Sequence, residues 1–369
     1  MASELTKKQS NGSDTAIYSS QKVLEQRDKF RHYTSEAIDH TALDLAPETL
    51  LKMYENMLLQ RRFEERASQM YGKQKIGGFL HLYIGQEAIS TGTANAINIG
   101  QDSVITAYRD HGIGLALGMS PNECMAELFG RSGGSSKGKG GSMHYFSKEL
   151  GLFGGHGIVG AHVPLGVGIG FAHKYKEDGG VCIVFLGDGA VGQGAFHEAC
   201  NLAGVYQLPV VIVVENNQYA MGTAVDRVFA ETDFYRHAPG YNMHGALVNG
   251  MNVLDVYAAI RDYAEMARNN EPSLLEIRTY RYRGHSMSDP QKYRTKKEMD
   301  AKKDEDPIIQ LKAYLIDHGL SDHGSLDEID EKVKKIVMES VEFADNSPHP
   351  ELSEIYTDVY AGDDYPFLS

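Results

Sequence analysis

The chain is short of cysteine, of positive charge and of long apolar runs. Its only cysteines are Cys124, Cys182 and Cys200. Their spacing fits no metal knuckle and their odd number leaves no complete disulfide framework, so they read as buried thiols of a reducing compartment. Lys and Arg number 36 against 50 Asp and Glu, for a formal net charge of -14. With no basic excess to release counterions from phosphates, nucleic acid is not expected as the main partner. Gly, Pro or a charge interrupts every apolar run before it reaches spanning length, so no membrane is expected either. The opening stretch MASELTKKQSNGSDTAIYSSQK lacks the apolar core of a signal peptide and is not an Arg-rich, acid-poor transit sequence. Residues 1–45 are therefore expected to be a mobile arm, and the protein cytoplasmic. No repeat or low-complexity linker divides the remainder of the chain: 46–345 reads as one large domain and 346–369 as a tail.

What is present is ordinary in bulk, with 42% hydrophobic and 23% charged residues, and regular in order. Helical spacing of apolar residues predicts helices over 46–72, 88–97, 120–129, 164–176, 196–206, 253–267 and within 307–344. Strands are expected at 103–108, 181–186, 209–216 and 273–282, the middle two as continuous β-branched runs of the kind buried on both faces. The glycine-rich stretch 130–160 reads as a long functional loop. Alternating strand and helix give an α/β fold with a mostly parallel sheet and helices on both faces.

Where strand 181–186 ends, the sequence reads FLGDGAVGQG (185–194). An aspartate between two glycines is poorly placed for packing and well placed to meet a ligand, because ligands of open parallel sheets sit beyond the strands' carboxyl ends. Strand 209–216 runs into ENNQY, which puts Asn217 beyond its own tip. If the two strands are neighbours, Asp188 and Asn217 face one crevice. Magnesium would suit a carboxylate, an amide oxygen and a main-chain carbonyl such as that of Tyr219, with phosphate oxygens completing its shell. Gly187 and Gly189 leave room for a diphosphate, and the helix start after GAVGQG offers its amides.

The pair GDG (187–189) and NN (216–217), with 26 residues between them (190–215), resembles the thiamine-diphosphate fingerprint. The blocks GFLHLYIGQEA (78–88), ITAYRDHG (105–112), KGKGGSMH (137–144), GGHGIVGAHVPLG (154–166), ENNQYAMGT (215–223) and YRYRGHSMSDP (280–290) resemble, in this order, the α subunits of the decarboxylating component of pyruvate dehydrogenase complexes. The resemblance covers roughly 46–344. It implies the thiamine-diphosphate-binding fold, in its diphosphate-binding half, with thiamine diphosphate and Mg2+ as cofactors. It implies that Asp188, Asn217 and the Tyr219 carbonyl hold the metal. It also implies that Tyr108, Arg109, Gly189, Ala190 and His285 meet the diphosphate, and that Gly157 and Val159 present backbone groups to the aminopyrimidine. Ser147, which falls where many relatives have alanine, is implied as a cofactor contact as well. His81 and His285 are implied near the reacting centre. The implied reaction is oxidative decarboxylation of pyruvate, with acetyl transfer to a lipoyl-bearing dihydrolipoyl acetyltransferase.

A second chain is also implied. Only one GDG…NN unit is present, so the glutamate that activates the aminopyrimidine is expected from a β subunit in an α2β2 tetramer. The one tempting acid in this chain, Glu87, has a sufficient explanation at a helix N-terminus. Ser286 matches a serine that kinases modify in mitochondrial relatives. A phosphate there would set nearly two negative charges beside the diphosphate, although without a transit peptide no such control is expected.

Other readings are weighed on the same residues. A lone Asp before Gly is most often a helix cap, His81 between two leucines a core residue, and Arg109 a structural partner of an acid. A branched-chain 2-oxo acid or acetoin could replace pyruvate. GVGIGFA (166–172) imitates a dinucleotide fingerprint and would make the chain a nicotinamide-dependent dehydrogenase; no strand is expected before it. GGSSKGKG (133–140) nearly spells a phosphate-binding P-loop, but glycine stands where Ser or Thr must hold magnesium. A non-catalytic subunit that merely keeps the fold is disfavoured by Asp188, Asn217, Arg109 and His285.

Overall fold

A computed structural model of the chain describes residues 30–34, 38–360 and 362. The first strand and helices are β1 (Arg31–Tyr33), α1 (Pro47–Gly72), α2 (Glu87–Ala96), β2 (Ser103–Ala107), α3 (His111–Leu117), α4 (Pro121–Leu128) and β3 (Leu152–His156). The central units are α5 (His162–Lys176), β4 (Cys182–Gly187), α6 (Gly194–Tyr206), β5 (Val210–Asn216), β6 (Tyr219–Ala220), β7 (Thr223–Ala224), β8 (His244–Asn249), α7 (Val253–Arg268) and β9 (Ser273–Arg278). The chain closes with α8 (Lys296–Lys303), α9 (Pro307–Asp317) and α10 (His323–Asn346).

Seven strands form one sheet in the order β1-β8-β9-β5-β4-β2-β3, and every pairing within it is parallel. The runs CIVFL and VVIVV explain its position. Ile183, Phe185, Val211 and Val213 point into one core, under α1, α2, α4 and α7, while Cys182, Val184, Val210, Ile212 and Val214 point into the other, under α5 and α6. The period of two along a strand sends alternate residues to opposite faces, and both faces are covered.

The structure departs from the sequence reading at several elements. First, strands β3, β6, β7 and β8 and helices α3 and α8 were not expected. β3 lies inside the stretch read as a loop, and its LFGGH carries too little apolar bulk to signal a strand. β8 is HGALVN, short and begun by a histidine and a glycine. Second, the described part of the expected arm is not all arm: Arg31–Tyr33 is a strand paired with β8, while 1–29 lie outside the described residues. Third, β3 ends five residues before α5 begins, so the dinucleotide-like glycines do follow a strand. Their role is packing. A Cβ on Gly166 would lie 2.5 Å from Val184, and one on Gly170 2.2 Å from Val210.

The P-loop-like stretch is also explained by what it encloses. Glu127 of α4 is fully buried. Its carboxylate accepts the backbone N–H groups of Ser136 and Gly138 on one oxygen and of Gly140 and Gly141 on the other, at 2.7–3.0 Å. The loop is an anion nest whose anion belongs to the chain itself.

Candidate active site

Four adjacent strands, β9-β5-β4-β2, deliver the site. β4 and β5 pair Gly187 with Glu215, so Asp188 and Asn217 emerge side by side as the sequence requires. β2 ends at Ala107 and hands over Tyr108 and Arg109. β9 ends at Arg278 and leads into the loop bearing Arg281 and His285. The segment between α1 and α2 adds His81 and Gln86. Its turn needs glycine at Gly85, where φ is 104° and a Cβ would meet the Tyr280 carbonyl.

Between these tips lies a cavity of about 230 Å³. Of the residues expected at the site, Tyr108, Arg109, Val159, Asp188, Gly189, Ala190, Asn217, Tyr219 and His285 line it. His81 sits behind that wall, its ring centroid 4.5 Å from Tyr108 and 5.0 Å from His285. Gly157 is two residues from Val159 and faces His144. Ser147 is apart from the lining: its backbone exchanges hydrogen bonds with Leu152 at the start of β3. Gly189 admits Ala220 rather than open space, since a Cβ there would fall 2.6 Å from the alanine methyl, whereas nothing lies within 4 Å of a Cβ on Gly187.

The electrostatics are those of a site built for charge of both signs. Asp188 is 1% exposed and its Oδ2 has no hydrogen-bond partner. Burial raises its pKa to about 6, against the opposing charges of Arg281 and Arg109. Arg109, also buried, gives its Nη1 to the Leu82 carbonyl at 2.6 Å and its Nη2 to the His285 carbonyl at 2.9 Å. Arg281 donates to Asn217 Oδ1, to the carbonyls of Tyr219, Met221 and Arg283, and to the Tyr293 hydroxyl. Among the described residues neither guanidinium has a carboxylate as a hydrogen-bond partner, and burial lowers Arg109 to about 10. Two buried guanidiniums that bond no carboxylate and one orphaned carboxylate oxygen make a cradle for an anion together with a cation. Among the described residues no group of His, Cys, Asp or Glu side chains could hold a metal unaided. One carboxylate, one amide oxygen and one carbonyl, with phosphate to complete the shell, therefore fit magnesium and not zinc.

Both histidines are held neutral. Burial, then the charge of Arg109, lowers His81 to about 3 and His285 to about 4. His81 Nδ1 is buried without a partner. Ser286, half-buried on the same loop, has its Oγ 3.0 Å from that of Ser288. Glu87 is not in the cavity wall. Its carboxylate takes Arg61 Nε and Nη2 at 2.5 and 3.1 Å and the Gly85 N–H at 3.0 Å. That ion pair gives it a structural task, as expected.

Sequence reading missed Gln86, Glu215 and Arg281 in the cavity wall. All three lie inside the blocks that carry the resemblance, but only their partners reveal them. Glu215 is raised to about 7 by burial and accepts the Tyr83 hydroxyl. A larger groove of about 650 Å³ opens beside the site, shared through Tyr219. Within it Glu298 accepts Tyr219 and Tyr280 and Arg278 grips Asp233, and none of its lining residues carries a buried unpartnered side-chain atom. The unmet bonds are in the smaller cavity.

Comparison with known proteins agrees. Residues 55–353 match the family described as "Dehydrogenase E1 component". The chain is 52% identical over 321 residues to the pyruvate dehydrogenase E1 component subunit alpha of Rhizobium meliloti (strain 1021), covering 86% of this chain and 92% of that one. To the protein of that name from Zymomonas mobilis it is 48% identical, over 85% and 89% of the two chains. To the mitochondrial protein of Solanum tuberosum it is 43% identical, over 89% and 84%.

Proposed function

The chain belongs to the dehydrogenase E1 component family, and from that premise we propose that it is the α subunit of an enzyme that decarboxylates pyruvate oxidatively with thiamine diphosphate. The acetyl unit goes to the lipoyl group of a dihydrolipoyl acetyltransferase, and a β subunit completes the site in an α2β2 assembly. The observation that carries the reading is the orphaned Asp188 Oδ2 in a cavity wall shared with two buried arginines that bond no carboxylate among the described residues.

When bound, the cofactor supplies the electron sink on which the carboxylate of a 2-oxo acid is lost. The chain's own residues hold its anionic end. Arg109 and the N–H groups at Gly189 and Ala190 would bind phosphate oxygens, with Tyr108 and His285 beside them. Asp188, Asn217 Oδ1 and the Tyr219 carbonyl would hold Mg2+. Val159 and Gly157 border the aminopyrimidine end, and Ser147 is assigned there on resemblance alone. The neutral rings of His81 and His285 can each donate or accept a hydrogen bond at the reacting end, His81 at its unpartnered Nδ1. Glu87 is committed to Arg61, so the activating glutamate is assigned to the β subunit.

Removing metal tests the site. The assembled enzyme, stripped with chelator, is expected to regain pyruvate turnover only when Mg2+ and thiamine diphosphate are both restored. Asp188→Ala should not recover at any Mg2+ concentration, because it deletes the one carboxylate of the ligand set. Unchanged cofactor affinity in that variant would remove the assignment. Running 2-oxoisovalerate and acetoin beside pyruvate decides the substrate, and pyruvate is expected to be fastest.

A further inference from the structure

Gln86 lines the cavity, is fully buried, and has no task in the cofactor site as proposed. It stands immediately before α2. Its Oε1 accepts Asn217 Nδ2 at 2.9 Å, while its Nε2 has no partner. A chain of donors fixes the orientation of both amides. A guanidinium can only donate, and Arg281 Nη1 is 3.4 Å from Asn217 Oδ1. Flipping Asn217 would set donor against donor, so it must show its NH2 to Gln86, and Gln86 must answer with its oxygen. The Nε2 of Gln86 is thereby left as an unmade donor in the cavity wall, which a fold does not retain without return.

We propose that Gln86 is a diphosphate-binding residue: its Nε2 donates to a diphosphate oxygen, while its Oε1 holds Asn217 with the amide oxygen turned to the metal. The proposal rests on the cofactor reading of this site. An amide NH2 cannot ligate a cation, and a metal-bound water offers it little lone-pair density, so a phosphate oxygen is the acceptor that remains. One side chain would then serve both halves of the magnesium–diphosphate pair.

The test titrates the assembled apoenzyme by calorimetry at saturating Mg2+, first with thiamine diphosphate and then with inorganic diphosphate. Gln86→Glu keeps the acceptor for Asn217 and replaces the donor by a charge of the wrong sign. Gln86→Met removes both functions at similar size. Each variant is expected to bind thiamine diphosphate about 10- to 100-fold more weakly. Inorganic diphosphate should show the same loss, which places the contact on the anion. Both variants should still assemble as the wild-type apoenzyme does. Affinity within twofold of wild type in Gln86→Glu would overturn the proposal, and so would failure of both variants to assemble, which would make Gln86 structural. If the wild-type enzyme bound no thiamine diphosphate, the cofactor reading itself would fall, an outcome the wild-type titration reads separately.

Discussion

His81 and Asp188 respond to acid in opposite directions. His81 has its pKa lowered to about 3, from 6.5, by burial. Between those values the unfolded chain binds a proton that the folded chain refuses, so this contribution to stability is present above pH 6.5 and is lost as pH falls. Asp188 is raised from 3.8 to about 6. In that window the folded chain holds the extra proton, and stability from this residue increases as pH falls. Replacing His81 by Gln should therefore flatten the acid limb. From pH 7 to pH 5 the variant is expected to lose about 1–2 kcal/mol less than wild type, measured by denaturant unfolding of the apoprotein. Parallel pH slopes for the two proteins would show that His81 is not held neutral. At this scale the sequence was legible where chemistry is written as spacing. Asp188, Asn217 and Arg109 stand where GDG, NN and YRD place them. Gln86, Glu215 and Arg281 were not, because the identity of a buried amide's partner is set by which loops converge and not by neighbours in the chain.

Elements show the same division. Strands β4 and β5 announce themselves as unbroken Val, Ile and Leu runs, and so the crevice beyond them was legible. β3 and β8 carry glycine and histidine in place of bulk, and they enter the sheet because neighbours already supply a ladder to join. The glycine-rich loop after α4 was legible as irregular, but not as a nest around Glu127, which looks in sequence like one more exposed acid of an amphipathic helix. Converting it to Gln keeps one acceptor oxygen and turns an NH2 toward two backbone donors. The variant is expected to be destabilised by about 2–4 kcal/mol. It should also become cleavable by protease within 133–141, checked by unfolding and limited digestion. Wild-type stability would mean the loop holds its shape without the carboxylate. The loop's Ser142 carbonyl accepts His111 Nε2 and its hydroxyl donates to the Phe79 carbonyl, two residues from His81. Loosening it should therefore lower turnover more than cofactor affinity.

The whole molecule carries an apolar face that solvent alone should not meet. On α5 and α6, Leu165, Phe171, Tyr175, Leu202, Val205 and Tyr206 are all more than 40% exposed, and Phe171 packs its ring on both tyrosines. Ile158 and Val159, at the cavity mouth, are exposed as well. Apolar surface of this extent marks a contact with another chain. Glu87, the acid that tempts in the sequence, is held by Arg61, while Glu215 in the cavity wall accepts the Tyr83 hydroxyl. The single GDG…NN unit already implied a partner in sequence, whereas the face that would receive it became visible only once α5 and α6 were placed side by side on the sheet. The account is tested most directly by assaying pyruvate decarboxylation with Mg2+ and thiamine diphosphate in three samples: this chain alone, the β subunit alone, and the two mixed. Activity is expected only in the mixture, and there it should be lost on Asp188→Ala. Full turnover by this chain alone, abolished by Glu87→Gln, would show instead that the site is complete within one sequence.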